Sequence, residues 1–127
     1  MSDLTEIFGE PIYSYTRAQA IEDGMLVDVS EAAKIEGFTY PVALTSAVWE
    51  SVVAVPEGLK NTDEVGRLHD LLWMLKLACR QTKGDTLYFT VQVLVGERAK
   101  RNVKLKSQCH PNDDGSPCIT VMLETED

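Results

Sequence analysis

A membrane-spanning helix needs about 20 apolar residues. The most apolar stretch of this chain, residues 71–79, has only nine positions, one of them Lys76. No transmembrane helix is therefore expected. Cysteine is sparse and odd in number, at three, which does not fit a disulfide framework and does fit a reducing compartment. Positive charge is also short: 12 Lys and Arg stand against 20 Asp and Glu, for a net charge of −8. Tight nucleic-acid binders concentrate Lys and Arg, so nucleic acid is not the expected partner. The phosphate-cradling patterns GxxxxGK[ST] and GxGxxG do not occur, nor do the GxSxG elbow and the HExxH zinc helix. The chain reads as non-enzymatic, with no catalytic residue, no metal site and no cofactor. Its opening, MSDLTEIFGE, is acidic and has no positive region leading into an apolar one, so the expected compartment is the cytoplasm.

What is present describes one domain over residues 1–127. That length can bury a core without metal or disulfide help, and 44% hydrophobic with 25% charged residues is ordinary for such a domain. The charge is unevenly spread. Residues 1–70 hold 13 acids and 4 bases, or −9, and residues 71–127 hold 7 acids and 8 bases, or +1. The acidic front half suits a basic protein surface and would speed the encounter with it. The same asymmetry offers a homo-oligomer, the acidic half of one copy meeting the basic strands of another.

Residues 61–84 read as the central helix. Asn61 or Thr62 serves as N-cap, Asp63 and Glu64 fill the first turn, and Arg80 and Lys83 lie in the last. Gly84 follows as a left-handed stop. Residues 71–79 are apolar on nearly all sides, which marks a buried helix, and Cys79 is expected to be a buried, inert thiol. Before it, residues 1–13 are expected to be irregular. Thr16 caps a short helix ended by Gly24, residues 25–29 alternate as a short strand, and Ser30 begins a helix stopped by Gly37. Pro41 opens a further helix on which Leu44, Val48, Trp49 and Val52 fall at helical spacing. After Gly84 the period changes to two, in residues 87–95, 102–109 and 118–124. The expected fold class is α+β, with N-terminal helices and a central buried helix packed on a C-terminal three-stranded antiparallel meander.

Several clusters are candidate sites. His69, Cys79, Cys109, His110 and Cys118 lack the two close ligand pairs of a zinc site. Cys109 and His110 are adjacent on a strand and so point to opposite faces, against a nucleophilic pair. The loop HPNDDGSP lacks the closing glutamate of a calcium loop and is explained by Asx-Gly turns. Arg98, Lys100, Arg101, Lys104 and Lys106 form the basic cluster, a modest surface for nucleic acid or an acidic protein with Tyr88 beside it. Lysines on such a sheet also discourage edge pairing. A ligand pocket would use Tyr15, Arg17, Asp23 and Asp28 from the block YTRAQAIEDGMLVDVS.

The run IFGEPIYSYTRAQAIEDGMLVDVSEAAKIEGFTYPVALTSAVW, continued by GRLHDLLWMLKLA and by the ending ITVMLETED, resembles a family of small bacterial proteins without assigned function. Its members are carried on plasmids, integrative elements and phages. The resemblance implies a bacterial cytoplasmic setting and a mobile-element context, and carries over no catalytic residue. By analogy with small acidic proteins of such elements that look like inhibitors of host defence, the resemblance further implies an acidic antagonist of a host defence protein. Together these readings lead to a protein-interaction module that binds a basic protein partner. The alternatives are a ligand-binding or enzymatic pocket on the 15–30 block, or weak nucleic-acid binding by residues 98–106.

Overall fold

Polar caps and glycine stops set the short elements. The computed structural model describes residues 15–60 and 62–126, so the expected irregular start at 1–13 and the cap at Asn61 lie outside the described residues. Helix α1 (Arg17–Glu22) begins at Thr16, whose side chain accepts from the Gln19 N–H while Gln19 Oε1 accepts from the Thr16 N–H. This reciprocal pair is a capping box. Gly24, at φ 81°, takes a left-handed turn that an L side chain resists, and the chain enters β1 (Leu26–Asp28). Next come α2 (Ser30–Ile35), β2 (Val42–Thr45), and α3 (Ser46–Val48), which continues directly into a π-helical turn (Trp49–Val53). The long helix α4 (Glu64–Gln81) and strands β3 (Thr86–Leu94), β4 (Lys100–Pro111) and β5 (Pro117–Leu123) complete the described chain.

The strands form one five-stranded sheet in the order β1-β2-β5-β4-β3. All neighbours are antiparallel except β2 and β5, which run parallel. The α+β class stands, and β3–β4–β5 is the expected meander, but the sheet is larger than the three strands expected. The segment read as a helix from Pro41 opens instead as strand β2. Val42, Ala43 and Leu44 are all 0% exposed. A strand buried on both faces is apolar at consecutive positions, so it lacks the period of two that would reveal it.

Helix α4 is capped by Asp63, whose Oδ1 accepts from the Gly66 N–H at 2.7 Å; the cap lies one or two residues beyond the expected Asn61 or Thr62. Its Leu71, Leu72, Leu75 and Ala78 enter one core with Leu87, Phe89, Val91 and Val93 of β3. Val103 and Leu105 of β4, Ile119 and Val121 of β5, and Val42 and Leu44 of β2 extend that core across the sheet. The helix is not buried all round. Trp73 is 43% exposed with Lys76 Nζ 5.7 Å from its ring centroid, and Cys79 is exposed rather than buried. The apolar outer positions misled because an indole can stay half in water under a cation that partners its face.

A buried arginine locks the turn before α4. The π-turn bonds Ala54 N–H to Trp49 C=O at 2.8 Å, and the carbonyls at its end need donors. Arg67, 6% exposed, donates from Nε to Val52 C=O at 2.8 Å and from Nη1 to Leu94 C=O at 2.9 Å. Arg101 Nη2 reaches Ser51 C=O at 3.4 Å. Burial first, and the charge of Arg101 second, lower the Arg67 pKa from its usual value. Cations at a helix C-terminal end are favourable, so Arg67 joins the π-turn to the end of β3. One-sided packing of α4 makes a direct prediction. Leu75→Ala should lower stability by about 3 kcal/mol and Trp73→Ala by no more than about 1 kcal/mol in denaturant titrations.

Candidate functional site

The sheet face away from α4 has two halves. Register places Tyr88, Thr90 and Gln92 of β3 beside Lys106, Lys104 and Asn102 of β4, and this half is largely open, with Tyr88 59% exposed. The other half, with Ala43 of β2 and Cys118, Thr120 and Met122 of β5, is buried. Its polar residues hold α1. Arg17 Nη1 donates to Thr120 Oγ1 at 2.6 Å and Nη2 to the Ile119 carbonyl at 2.8 Å. The Asp113 carboxylate, from the β4–β5 loop, accepts the backbone N–H groups of Arg17 at 2.9 Å and Ala18 at 3.1 Å. With Thr16 accepting from Gln19, the first three N–H groups of α1 all have partners, and a carboxylate lies at the positive helix end.

His110 completes this network. Its Nδ1 lies 3.0 Å from the Pro111 carbonyl, which can only accept, so Nδ1 carries the proton. Nε2 is 2.7 Å from Thr120 Oγ1, the same oxygen that accepts from Arg17. Cys118 Sγ sits 3.8 Å from both ring nitrogens. Topology thus brings a thiol and an imidazole together, through a pairing that adjacency of Cys109 and His110 did not suggest. The pair is not arranged as a nucleophile and base. Both nitrogens are engaged, the thiol is fully buried, and burial pushes its pKa up despite the opposing charge of Arg17. Catalytic cysteines need the reverse.

The nine residues singled out as binding candidates fall into two groups toward opposite edges of the sheet. Around α1, the Tyr15 hydroxyl donates to the Asp23 carboxylate at 2.5 Å, a bond that raises the phenol pKa. Arg17 turns inward. Asp28 Oδ1 accepts from the Ser30 N–H at 3.0 Å and hydroxyl at 2.6 Å, fixing the turn into α2. At the other edge, Arg98 lies in the β3–β4 connection, and Lys100, Lys104 and Lys106 share the open face. Lys106 Nζ also donates to the Glu126 carbonyl at 3.1 Å. Arg101 belongs to the opposite face and reaches Ser51. Of the clefts lined by described residues, one of about 330 Å³ is bordered by Arg101 and Lys104 together with Ser51 and residues 123–125. An open one of about 720 Å³ runs between residues 56–60 and 95–97, and one of about 360 Å³ lies between residues 37–40 and Lys76, Cys79 and Arg80.

A family profile matches residues 5–127, nearly the whole chain. The chain belongs to the DUF6573 family, a family of unknown function. No curated protein and no solved structure matches it. Among the described residues no helix is long and apolar enough to cross a membrane, and no group of three His, Cys, Asp or Glu side chains could hold a metal ion.

The remaining candidates serve the fold. His69 Nδ1 contacts the Glu36 carboxylate, joining α4 to α2. In the HPNDDGSP loop, Asn112 Oδ1 accepts from the Asp113 N–H and Asp114 Oδ1 from the Ser116 N–H and hydroxyl. The Ser116 hydroxyl, then its N–H, hold the Asp114 carboxyl below its usual pKa. Sequence reasoning missed Asp113 and Thr120 as partners of Arg17 and His110 as the partner of Thr120. The one available signal was strand parity, which puts His110 and Thr120 on the same face as the meander lysines.

Two outcomes follow. Asp113→Ala should cost about 1 kcal/mol and speed hydrogen exchange at residues 17–22 ahead of the rest of the sheet. An alkylating reagent at about pH 8 should label Cys79 in the native protein and Cys118 only on unfolding. Both thiols are raised by burial, so exposure decides the order, which peptide mass mapping reads.

Proposed function

We propose that the protein is a non-enzymatic interaction module whose docking surface is the outer side of the N-terminal layer and whose partner is a basic protein surface. The inward turn of Arg17 carries this reading. Read linearly, the 15–30 block mixes charges; folded, its arginine bonds to Thr120 and Ile119. Glu22, Asp23, Asp28 and Glu31 are left exposed. Lys34, the other base of this region, lies 3.5 Å from Glu31. Met25 and Ile35, 58% and 85% exposed, add apolar anchors of the kind interfaces use. The resemblance drawn above supports a bacterial cytoplasmic setting on a mobile element, with a host-defence protein as the class of target.

A second reading rests on a separate observation. Tyr88 lies opposite Lys106 on an open sheet face, with Lys104 and Lys100 along the same strand, a stacking ring beside cations as single-strand binders use. A net charge of −8 ranks it second, and a gel shift at low salt that Lys104→Glu abolishes would promote it.

Glu22→Lys combined with Glu31→Lys tests the first reading, since neither side chain supports another element. Immobilised wild-type protein should capture from a bacterial host lysate a partner released by high salt. The variant should capture none of it while keeping its circular dichroism. Capture that is unchanged by the reversal would overturn the proposal.

A further inference from the structure

Strand β3 is the outermost strand of the sheet on its side among the described residues. Its sequence, TLYFTVQVL, holds no charge, proline or glycine. Its register with β4 runs unbroken from Thr86↔Gln108 to Leu94↔Lys100, so no bulge bends it. Natural edge strands are usually guarded by charge, proline, bulges or shortness, and this edge has none of these in a chain carrying −8. The lysines expected to discourage pairing sit on β4, one strand in.

The direction of each backbone group is fixed. Val95 N–H donates to Ala99 C=O at 2.9 Å and Cys109 N–H to Asp85 C=O at 2.7 Å, so the odd-numbered residues of β3 bond to β4. The N–H and C=O groups of Thr86, Tyr88, Thr90 and Gln92 therefore face outward. The last outward residue in that row is Leu94, whose carbonyl already accepts from Arg67 at 2.9 Å and keeps a second lone pair beside its outward N–H.

We propose that β3 pairs antiparallel with β3 of a second copy of this chain, with Thr90 on the two-fold axis, so that two five-stranded sheets become one. In that register Thr90 faces Thr90, Tyr88 faces Gln92 and Thr86 faces Leu94, and every outward residue is paired. Moving the axis to Phe89 leaves the outward Leu94 N–H without a partner in β3, and moving it to Val91 leaves Thr86 without one. On the α4 side Phe89 meets Val91 and Leu87 meets Val93 of the second copy, and all four belong to the apolar core. The strand is thus complementary to its own reverse in both faces. Its ends agree in charge as well: Lys83, just before β3, approaches Glu97, just after β3 of the second copy. This joint involves no contact between an acidic half and basic strands, so high salt leaves it in place.

Light scattering on the size-separated full chain tests the proposal. The wild type should show twice the 14.1 kDa chain mass, in low and high salt alike. Thr90→Lys sets two like charges against each other at the axis and should halve the mass with unchanged circular dichroism. Thr90→Pro removes an outward N–H without touching the β3–β4 ladder and should do the same. Hydrogen-bonded antiparallel pairs hold their Cα atoms about 5.5 Å apart, within disulfide range. Thr90→Cys should therefore yield a covalent dimer on mild oxidation and Tyr88→Cys should not. A wild type of single-chain mass, or a dimer that Thr90→Lys leaves intact or that high salt dissolves, would overturn the pairing.

Discussion

The structure depends on covering a sheet whose middle strands are buried on both faces. Helix α4 lines one face with Leu71, Leu72 and Leu75. On the other face Ala43, Cys118, Thr120 and Met122 are buried, and α1, which is six residues long, reaches that face through Arg17. A helix that short has no stability of its own in water. It is held because Arg17 reaches into the sheet and Asp113 reaches out of it, from a loop almost a hundred positions away in sequence. The Arg17–Thr120 bond is the contact on which the second layer rests.

Much else follows from that arrangement. Thr120 is shared with His110, so the imidazole nearest Cys118 has both nitrogens engaged, and the one Cys–His contact of the described fold is inert. Arg17 faces inward, so the surface above it is more acidic than its sequence suggests. Arg17 of α1 reaches β5, whereas the β3–β4 half of that face stays open to water, where Tyr88 and the lysines stand. The Arg67 guanidinium plays a parallel part at the far end, tying the π-turn to β3 at Leu94.

The three C-terminal strands were legible because alternation of Leu87, Phe89, Val91 and Val93 with polar residues is a two-state signal that one-sided burial imposes. The caps at Thr16 and the stops at Gly24 and Gly37 were legible because they are local chemistry. Strand β2 was not, since Val42, Ala43 and Leu44 are buried on both sides and carry no period. The outer side of α4 was misread because Trp73 and Cys79 look like core residues in a linear string. The site was legible only as a block: Arg17 could be singled out, but its partners Thr120 and Ile119 come from the last strand, and no local pattern announces a contact of that separation.

A double-mutant cycle on Arg17→Met and Thr120→Val, read by chemical denaturation, tests the Arg17–Thr120 bond most directly. If Arg17 holds α1 to β5 as described, the two changes will be non-additive by at least about 1 kcal/mol. Additive effects would contradict the account, because the Arg17 guanidinium and the Thr120 hydroxyl would then not be coupled.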